Sequence, residues 1–91
     1  MRGPNAGSRL LIEEGTLTIG RHPGSDVFLD DITVSRKHAT LVATPTGVSV
    51  SDAGSLNGTY CNGDRIDACD LTDGDEVQVG RYVFRYREVA R

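Results

Sequence analysis

The sequence of 91 residues has no tryptophan, only two cysteines and no long hydrophobic run. Its longest apolar run near the start covers residues 10–12, whereas a membrane-spanning helix needs about 20 predominantly apolar residues. The same shortness excludes a signal-peptide core. We therefore expect no membrane partner for this chain, and we predict a cytoplasmic location.

The sequence also lacks an excess of positive charge. Ten lysines and arginines stand against thirteen aspartates and glutamates, for a formal net charge of -3. Proteins that bind nucleic acids mainly through phosphates usually carry a pronounced basic excess, which lowers the expectation of such binding here. We predict no nucleic-acid partner.

Metal-binding patterns are missing as well. The chain has two cysteines, Cys61 and Cys69, which are too few for a disulfide framework. In the cytoplasm we expect them to be reduced packing residues. Together with His22 and His38 they lack the paired spacing of a zinc site. The acidic stretch 70–76 lacks the alternating oxygen ligands of a calcium loop. We predict no metal and no cofactor.

What the sequence does contain is short strand-like segments separated by turn residues, among them eleven glycines. No segment repeats apolar residues at helical spacing over three turns, but several alternate with period two, such as Val48 and Val50 against Ser49 and Ser51. Strands are predicted at residues 9–13, 16–20, 27–29, 38–43, 47–51, 59–61, 65–66, 76–79 and 82–87. About nine to eleven strands in one domain fit a two-sheet antiparallel β-sandwich, which is an all-β fold.

One turn between these strands is especially informative. Asn62 and Gly63 separate two strand segments and predict a type I′ hairpin, because both central positions of that turn need positive φ. We find no internal repeat or linker. Residues 1–8 are predicted to be a flexible N-terminal end, and residues 9–91 a single domain.

Three loops concentrate polar residues, and a β-sandwich places function in its loops. Arg21 ends a strand and is a candidate anion ligand, although a solvated arginine is the alternative. Ser35 and Arg36 could both donate to one phosphate, since a hydroxyl and a forked guanidinium suit charge-assisted recognition. Asn57 can both donate to and accept from a peptide backbone, although Asn57 followed by Gly58 is also an ordinary turn.

An enzymatic reading is disfavoured. Ser35 or Ser55 with His38 or His22 could suggest a hydrolase, but no nucleophile elbow is present, and Ser35 and His38 lie on one short loop. For His38, a packed histidine that hydrogen-bonds the loop backbone is favoured over a metal ligand. We predict that the chain is not an enzyme.

The polar motifs have a characteristic order along the chain. They are Gly20-Arg21, Ser35-Arg36-Lys37-His38, Gly54-Ser55-Leu56-Asn57-Gly58-Thr59 and Asn62-Gly63. This order and spacing resemble the forkhead-associated (FHA) domain family, from about residue 9 to residue 86. The resemblance implies an eleven-stranded β-sandwich that binds phosphothreonine peptides through loops at one end, without catalysis.

The resemblance also implies roles for individual residues. Arg21 and Ser35 would contact the phosphate, Arg36 would add phosphate contacts, and Asn57 would bind the peptide main chain. Leu56 stands where many members have a threonine that helps bind phosphate, so here only its backbone N–H could substitute.

The remaining motif residues have lesser roles by the same resemblance. Gly20, His38 and Gly58 are expected to be structural: Gly20 lets Arg21 leave the strand, and His38 ties the binding loop down. Lys37 and Asn62 are expected to contribute peptide contacts, with Asn62 mainly forming the hairpin turn.

The expected partners follow from this family. They are phosphothreonine-containing proteins, such as Ser/Thr kinases or their substrates, bound by a monomeric domain in kinase signalling. Residues 2–8 and 20–38 are similar to small actinobacterial members that regulate 2-oxoglutarate metabolism.

That similarity leaves an alternative open. The chain could be a phosphorylation-independent scaffold that inhibits metabolic enzymes of the 2-oxoglutarate dehydrogenase or glutamate dehydrogenase type. In such relatives an N-terminal phosphorylatable segment binds the domain itself. Residues 1–8 contain no threonine, so we expect that tail to be absent from this sequence.

Overall fold

The computed structural model describes residues 12–88, which form an all-β structure of nine strands. The strands are β1 (Gly15–Gly20), β2 (Val27–Phe28), β3 (Ala39–Thr44), β4 (Gly47–Asp52), β5 (Thr59–Cys61), β6 (Asp64–Ile66), β7 (Ala68–Leu71), β8 (Glu76–Val79) and β9 (Tyr82–Arg85). No helix in this part of the chain is long and apolar enough to cross a membrane.

The strands form two sheets. The five-stranded sheet has the order β2-β1-β3-β4-β7, and the four-stranded sheet has the order β6-β5-β8-β9. Every pairing is antiparallel except that of β1 with β2, which runs parallel over two residue pairs. The predicted β-sandwich is thereby confirmed.

The core lies between the two sheets and is built from alternate residues of the strands. Leu41 and Val50 come from the larger sheet, and Val77 and Val79 from the smaller one. Strands β3, β5 and β8 therefore alternate between buried and wetter residues, as the period-two patterns predict. Leu29 and Val34 are also buried although they lie between strands, so they fasten the long segment 29–38 to the core.

Most predicted strands are present with shifts of one or two residues at their ends. The predicted strand at 9–13 falls largely on residues 9–11, outside the described residues, and Ile12 and Glu13 belong to no strand. The predicted loose end at residues 1–8 also lies outside them. The last strand ends at Arg85 instead of Arg87.

Two features differ from the sequence prediction. Strand β7 was not predicted, although its residues pair with β4. The described residues hold nine strands where the family pattern implies eleven. Segments 30–37 and 53–58 form no strands because many of their polar groups are hydrogen-bonded to side chains and neighbouring loops.

The predicted hairpin turn is confirmed between β5 and β6. Asn62 has φ of 51° and Gly63 has φ of 88°, so both central residues adopt positive φ. This turn lies at what we call the hairpin end of the sandwich, together with the turns at residues 45–46 and 72–75. The opposite end, which we call the loop end, carries residues 21–26, 29–38, 53–58 and 80–81.

Candidate functional site

The three polar loops singled out in the sequence meet at the loop end. The Arg21 N–H donates to the Ser35 carbonyl oxygen at 2.9 Å, which joins the first loop to the second. The Leu56 N–H donates to the Ser35 Oγ at 3.0 Å, which joins the third loop to the second. The structure therefore brings Arg21, Ser35 and Leu56 together, although they are far apart in the sequence.

The first loop approaches the second so closely that only glycine fits at position 20. A Cβ at Gly20 would lie 2.1 Å from the Arg36 carbonyl oxygen. The Arg21 Nε then donates to the Val34 carbonyl oxygen at 3.0 Å, which orients an exposed guanidinium. Its terminal nitrogens have no hydrogen-bond or ion-pair partner among residues 12–88, so they are available to an anion.

His38 is fully buried beneath these loops and connects two of them. Its Nδ1 accepts from the Ser35 N–H at 3.0 Å, and its Nε2 lies 2.9 Å from the Gly58 carbonyl oxygen. Because Nδ1 accepts, Nε2 carries the proton and donates to Gly58. This neutral histidine leaves no ring nitrogen for a metal. Among residues 12–88 no group of three potential metal-ligating side chains is found.

The third loop is organised by Asp52, which the sequence analysis did not single out. One carboxylate oxygen accepts from the N–H groups of Gly54 and Ser55, at 3.0 and 3.1 Å. The other accepts from the hydroxyls of Ser55 and Thr59. Asp52 thus fixes the loop that presents Leu56 and Asn57.

These bonds also set the ionisation of Asp52. Burial favours the neutral form, but the hydrogen bonds from Ser55, Thr59 and Gly54 outweigh it and hold the pKa of Asp52 below its ordinary value. The Ser55 hydroxyl in turn accepts from the Gly58 N–H at 3.0 Å. An aspartate followed by serine three residues later is a recognisable turn signal that could have identified this site.

Asp31 and Thr33 form a second support of the loop end, which the sequence patterns also did not reveal. The Thr33 N–H and hydroxyl both donate to Asp31, at 2.8 and 2.7 Å, and the Arg81 N–H donates to the Thr33 Oγ1 at 3.0 Å. The backbone and then the side-chain hydrogen bond from Thr33 are the main causes that lower the pKa of Asp31. The Arg81 Nε lies 3.3 Å from the same carboxylate. The turn between β8 and β9 is therefore joined to the second loop.

Asn57 lies on the same surface and faces a shallow groove. Its Nδ2 donates to the Thr33 carbonyl oxygen at 3.0 Å, which fixes the amide and leaves its oxygen exposed. The groove has a volume of about 400 Å³ and is lined by Asn57, Tyr60, Arg81 and neighbouring residues. An extended peptide lying in it would meet the Asn57 amide beside the cationic loops.

The electrostatic character of the loop end comes from its unpaired cations. Arg21, Arg36 and Lys37 are all exposed, and none forms an ion pair among the described residues. The overall charge of -3 does not cancel this local cluster, because exposed charges more than about 8 Å apart are largely screened at physiological salt. The arrangement is suited to binding an anionic group.

Asn62, in contrast, is not brought to this cluster. It lies at the hairpin end, where its Nδ2 donates to Asp75 at 3.1 Å and its Oδ1 accepts from the Glu76 N–H at 2.9 Å. Both ends of its amide are therefore engaged within the protein. Gly58 lies at the site but in a structural setting, with φ of 90° and its backbone bonded to His38 and Ser55.

The comparisons with known proteins agree with this geometry. The model of the FHA domain family matches residues 17–80. A solved structure described as a study of phosphothreonine-dependent FHA domain interactions has a TM-score of 0.83 and 29% identity. The match covers 88% of this chain and 83% of that chain.

Two curated relatives are similar in sequence. The glycogen accumulation regulator GarA of Mycolicibacterium smegmatis is 54% identical over 81 residues, which cover 89% of this chain. The oxoglutarate dehydrogenase inhibitor of Corynebacterium diphtheriae is 53% identical over 90 residues, which cover 99% of this chain. The chain spans 51% of the first relative's length and 63% of the second's.

Proposed function

Because the chain belongs to the FHA domain family, we propose that it is a phosphothreonine-peptide recognition module. It would mediate kinase-dependent protein–protein interaction in signalling, without catalysing a reaction. The observation that carries this proposal is the convergence of Arg21, Ser35 and Arg36 at the loop end, with cations that no acidic group of residues 12–88 neutralises.

The chemistry of a phosphothreonine fits these groups. The phosphate carries a charge of roughly -1.5 to -2 and three strong acceptor oxygens. The terminal nitrogens of Arg21 and the guanidinium of Arg36 supply charged donors. The Ser35 hydroxyl accepts from Leu56, and its own proton has no acceptor among the described residues, so it is free to donate to phosphate.

The expected strength of the complex follows from these contacts. Each charge-assisted hydrogen bond contributes about 1.5 to 3 kcal/mol net. Three or four such bonds total roughly 4.5 to 12 kcal/mol, and after the cost of ordering an extended peptide we expect a complex no stronger than about -8 kcal/mol, which corresponds to a micromolar dissociation constant. An interaction of this strength is reversible, as a signalling switch requires.

Leu56 and Asn57 have different parts in the proposal. The Leu56 N–H, the one group that could replace the missing threonine hydroxyl, is already engaged by Ser35. Leu56 therefore positions the Ser35 hydroxyl and supplies no phosphate donor of its own in this arrangement. Asn57 keeps its amide oxygen and one amide hydrogen for the peptide main chain, while Lys37 adds positive charge nearby.

The proposed partners are phosphothreonine-containing proteins, namely Ser/Thr kinases or their substrates, met in the cytoplasm by a monomeric domain. The similarity to a structure concerned with phosphothreonine-dependent interactions supports this choice. The bonds that hold Arg21 and Asn57 in place support it further, because preorganised donors lower the cost of binding.

A second candidate function is phosphorylation-independent binding to a metabolic enzyme of the 2-oxoglutarate dehydrogenase type. The observation that favours it is the exposure of two large apolar side chains on the loops of the site: Ile32 is 90% exposed and Leu56 is 85% exposed. Exposed apolar residues beside polar groups are common in protein–protein interfaces. The name of the corynebacterial relative points to the same enzyme.

One titration tests the main proposal. A degenerate phosphothreonine peptide library, its phosphoserine counterpart and its unphosphorylated counterpart are titrated against the domain by fluorescence anisotropy. We expect saturable micromolar binding of the phosphothreonine pool only. The titration is repeated with Arg21→Ala, and Arg87→Ala is its matched control. Each variant removes one exposed arginine, but only Arg21→Ala removes a site residue.

The outcomes separate the two candidate functions. Absence of binding to any pool, together with capture of purified 2-oxoglutarate dehydrogenase by phosphatase-treated domain and partner, would replace the main proposal with the second. Equal binding of all three pools would contradict phosphate recognition. In the second function, Ile32→Ser should weaken enzyme capture, whereas Val83→Ser, which changes an exposed valine on β9, should not.

A further inference from the structure

The only two cysteines of the chain face each other across the interior of the sandwich. Cys61 lies on β5 of the four-stranded sheet, and Cys69 lies on β7, the edge strand of the five-stranded sheet. Both are free thiols, and their Sγ atoms are 3.0 Å apart, with the Cys69 S–H donating to the Cys61 sulfur. No residue of the phosphopeptide site takes part in this contact.

This geometry is close to that of a bonded pair. The disulfide bond length is about 2.05 Å, so the two sulfurs need to approach by only about 1 Å. The side chains come from different sheets and are already in contact in the folded protein. Most of the entropic cost of bringing the two thiols together has therefore been met by folding. Cys69 is half-buried on an edge strand, whereas Cys61 is buried, so a small oxidant meets Cys69 first.

We propose that Cys61 and Cys69 are a reversible oxidation site, at which hydrogen peroxide converts the two thiols into a disulfide that joins the two sheets. In the first step the Cys69 sulfur attacks one peroxide oxygen: the S–O bond forms, the O–O bond breaks, and the thiol proton leaves with the other oxygen as water. In the second step the Cys61 sulfur attacks the Cys69 sulfenic sulfur: the S–S bond forms, the S–O bond breaks, and the departing hydroxide takes the Cys61 thiol proton and leaves as a second water.

The two steps balance as a two-electron oxidation of the thiols by one peroxide, and a dithiol reductant reverses them. The order of attack agrees with the surroundings of Cys61. Burial, followed by the contact with Cys69, raises the pKa of the Cys61 thiol to about 12. Cys61 is therefore the less reactive thiol toward peroxide and attacks second, when its proton can pass to the departing hydroxide. In a reducing compartment such a pair is a dithiol until an oxidant appears.

The disulfide stabilises the fold because it closes a chain segment between residues eight apart in the sequence and connects both layers of the core. For a domain of this size we expect the melting temperature of the oxidised chain to rise on the order of 10 °C. The phosphate-binding residues lie in loops outside the cross-linked segment, so phosphopeptide affinity should change less than about twofold.

The test treats the full reduced chain with hydrogen peroxide and analyses it without reductant. We expect the loss of two hydrogen atoms in the intact mass, no alkylation of either cysteine after denaturation, and a proteolytic fragment that joins the peptides of Cys61 and Cys69. Dithiothreitol should restore both thiols and the lower melting temperature.

Two conservative variants make the test decisive. Cys61→Ser should accumulate a sulfenic acid on Cys69 that dimedone traps, and Cys69→Ser should leave Cys61 unoxidised under the same treatment. The proposal is overturned if the wild-type chain keeps two alkylatable thiols, forms only disulfides between chains, or oxidises Cys61 equally fast in Cys69→Ser. An oxidised monomer without a higher melting temperature would contradict the stabilising cross-link.

Discussion

The two ends of the sandwich use the same means of holding their turns and differ in what remains free. At the loop end, Asp52 accepts four hydrogen bonds from residues of the third loop and from Thr59. At the hairpin end, Asp75 accepts from the backbone and hydroxyl of Thr72 and from the amide of Asn62. The pKa of each aspartate is lowered, at Asp75 mainly by the Thr72 backbone hydrogen bond.

The difference lies in the positive charges. At the hairpin end Arg85 pairs with Glu76, and Arg87 lies 3.8 Å from Asp73. At the loop end Arg21, Arg36 and Lys37 have no acidic partner among residues 12–88. The comparison teaches that a rigid, hydrogen-bonded turn is not by itself a sign of a binding site. The sign is a rigid turn that presents unsatisfied charge.

The largest expected effect comes from removing the buried support of the loop end. His38→Ala leaves the Ser35 N–H and the Gly58 carbonyl without their partner and opens a cavity, so we expect a loss of about 3 kcal/mol in the free energy of unfolding. Urea denaturation measures it. His22→Ala is the control, because His22 is exposed and its ring accepts only from the nearby Gly24 N–H. An unchanged midpoint for His38→Ala would contradict its role as the connection between loops.

The next effect compares the two aspartates. Asp52→Asn places an amide nitrogen against hydrogen-bond donors, and we expect a loss of about 2 kcal/mol at neutral pH. Because the pKa of Asp52 is lowered by folding, its stabilising contribution is present above the unfolded value of about 3.9 and is lost as the pH falls through the folded value. The stability difference between wild type and Asp52→Asn should therefore shrink in acid.

Asp75→Asn is the matched control at the hairpin end. It should show a similar acid dependence but leave phosphopeptide affinity unchanged, whereas Asp52→Asn should also weaken binding because the third loop loosens. Equal affinity losses in the two variants would show that the two ends do not differ in function as we infer. Chemical denaturation between pH 3 and 7, with anisotropy at pH 7, supplies both measurements.

Arg21→Ala tests the free charge directly. We expect phosphopeptide affinity to fall at least about tenfold, which is about 1.4 kcal/mol, with at most about 1 kcal/mol lost in stability. Arg87→Ala changes the net charge equally at the hairpin end and should leave affinity unchanged. Equal affinity losses in both would mean that net charge, and not the loop cluster, attracts the peptide.

The smallest effect concerns Leu56. Leu56→Thr adds a hydroxyl beside Ser35, and we expect affinity for the phosphothreonine peptide to hold or to improve by less than about tenfold, since a single hydrogen bond is added. Leu56→Val has a similar shape without the hydroxyl and should show no gain. Isothermal titration of both variants decides. A clear loss for Leu56→Thr alone would show that this loop binds differently from the family pattern.

Sequence patterns predicted most of the fold because strand alternation and turn residues are local signals. Val48 and Val50 indicated β4, and Asn62 with Gly63 indicated the hairpin. Strand β7, with the sequence Ala-Cys-Asp-Leu, was missed because it has no β-branched residue and is an edge strand that buries little. Its strand structure depends on pairing with β4, which no local pattern reveals.

The candidate site likewise contains residues that sequence patterns predict and residues that they do not. Arg21, Ser35, Arg36 and Asn57 belong to motifs that can be read in order along the chain. Asp52 was missed as a support although its partners lie within seven residues of it, because an aspartate and a serine three residues apart also occur in ordinary turns. Thr33 was missed because its bond from the Arg81 N–H joins residues 48 positions apart. The engagement of the Leu56 N–H by Ser35 was also not foreseeable, since it joins two residues 21 positions apart.

The position of the site, on loops from both sheets, has a consequence for backbone dynamics. Arg21 follows β1 of the larger sheet, whereas Asn57 leads into β5 of the smaller sheet. A peptide held by both residues ties the two sheets together at one end. When the peptide is bound, amide hydrogens at the end of β1 and at the start of β5 should therefore both exchange more slowly with solvent. Amide hydrogens at the hairpin end should keep their exchange rates.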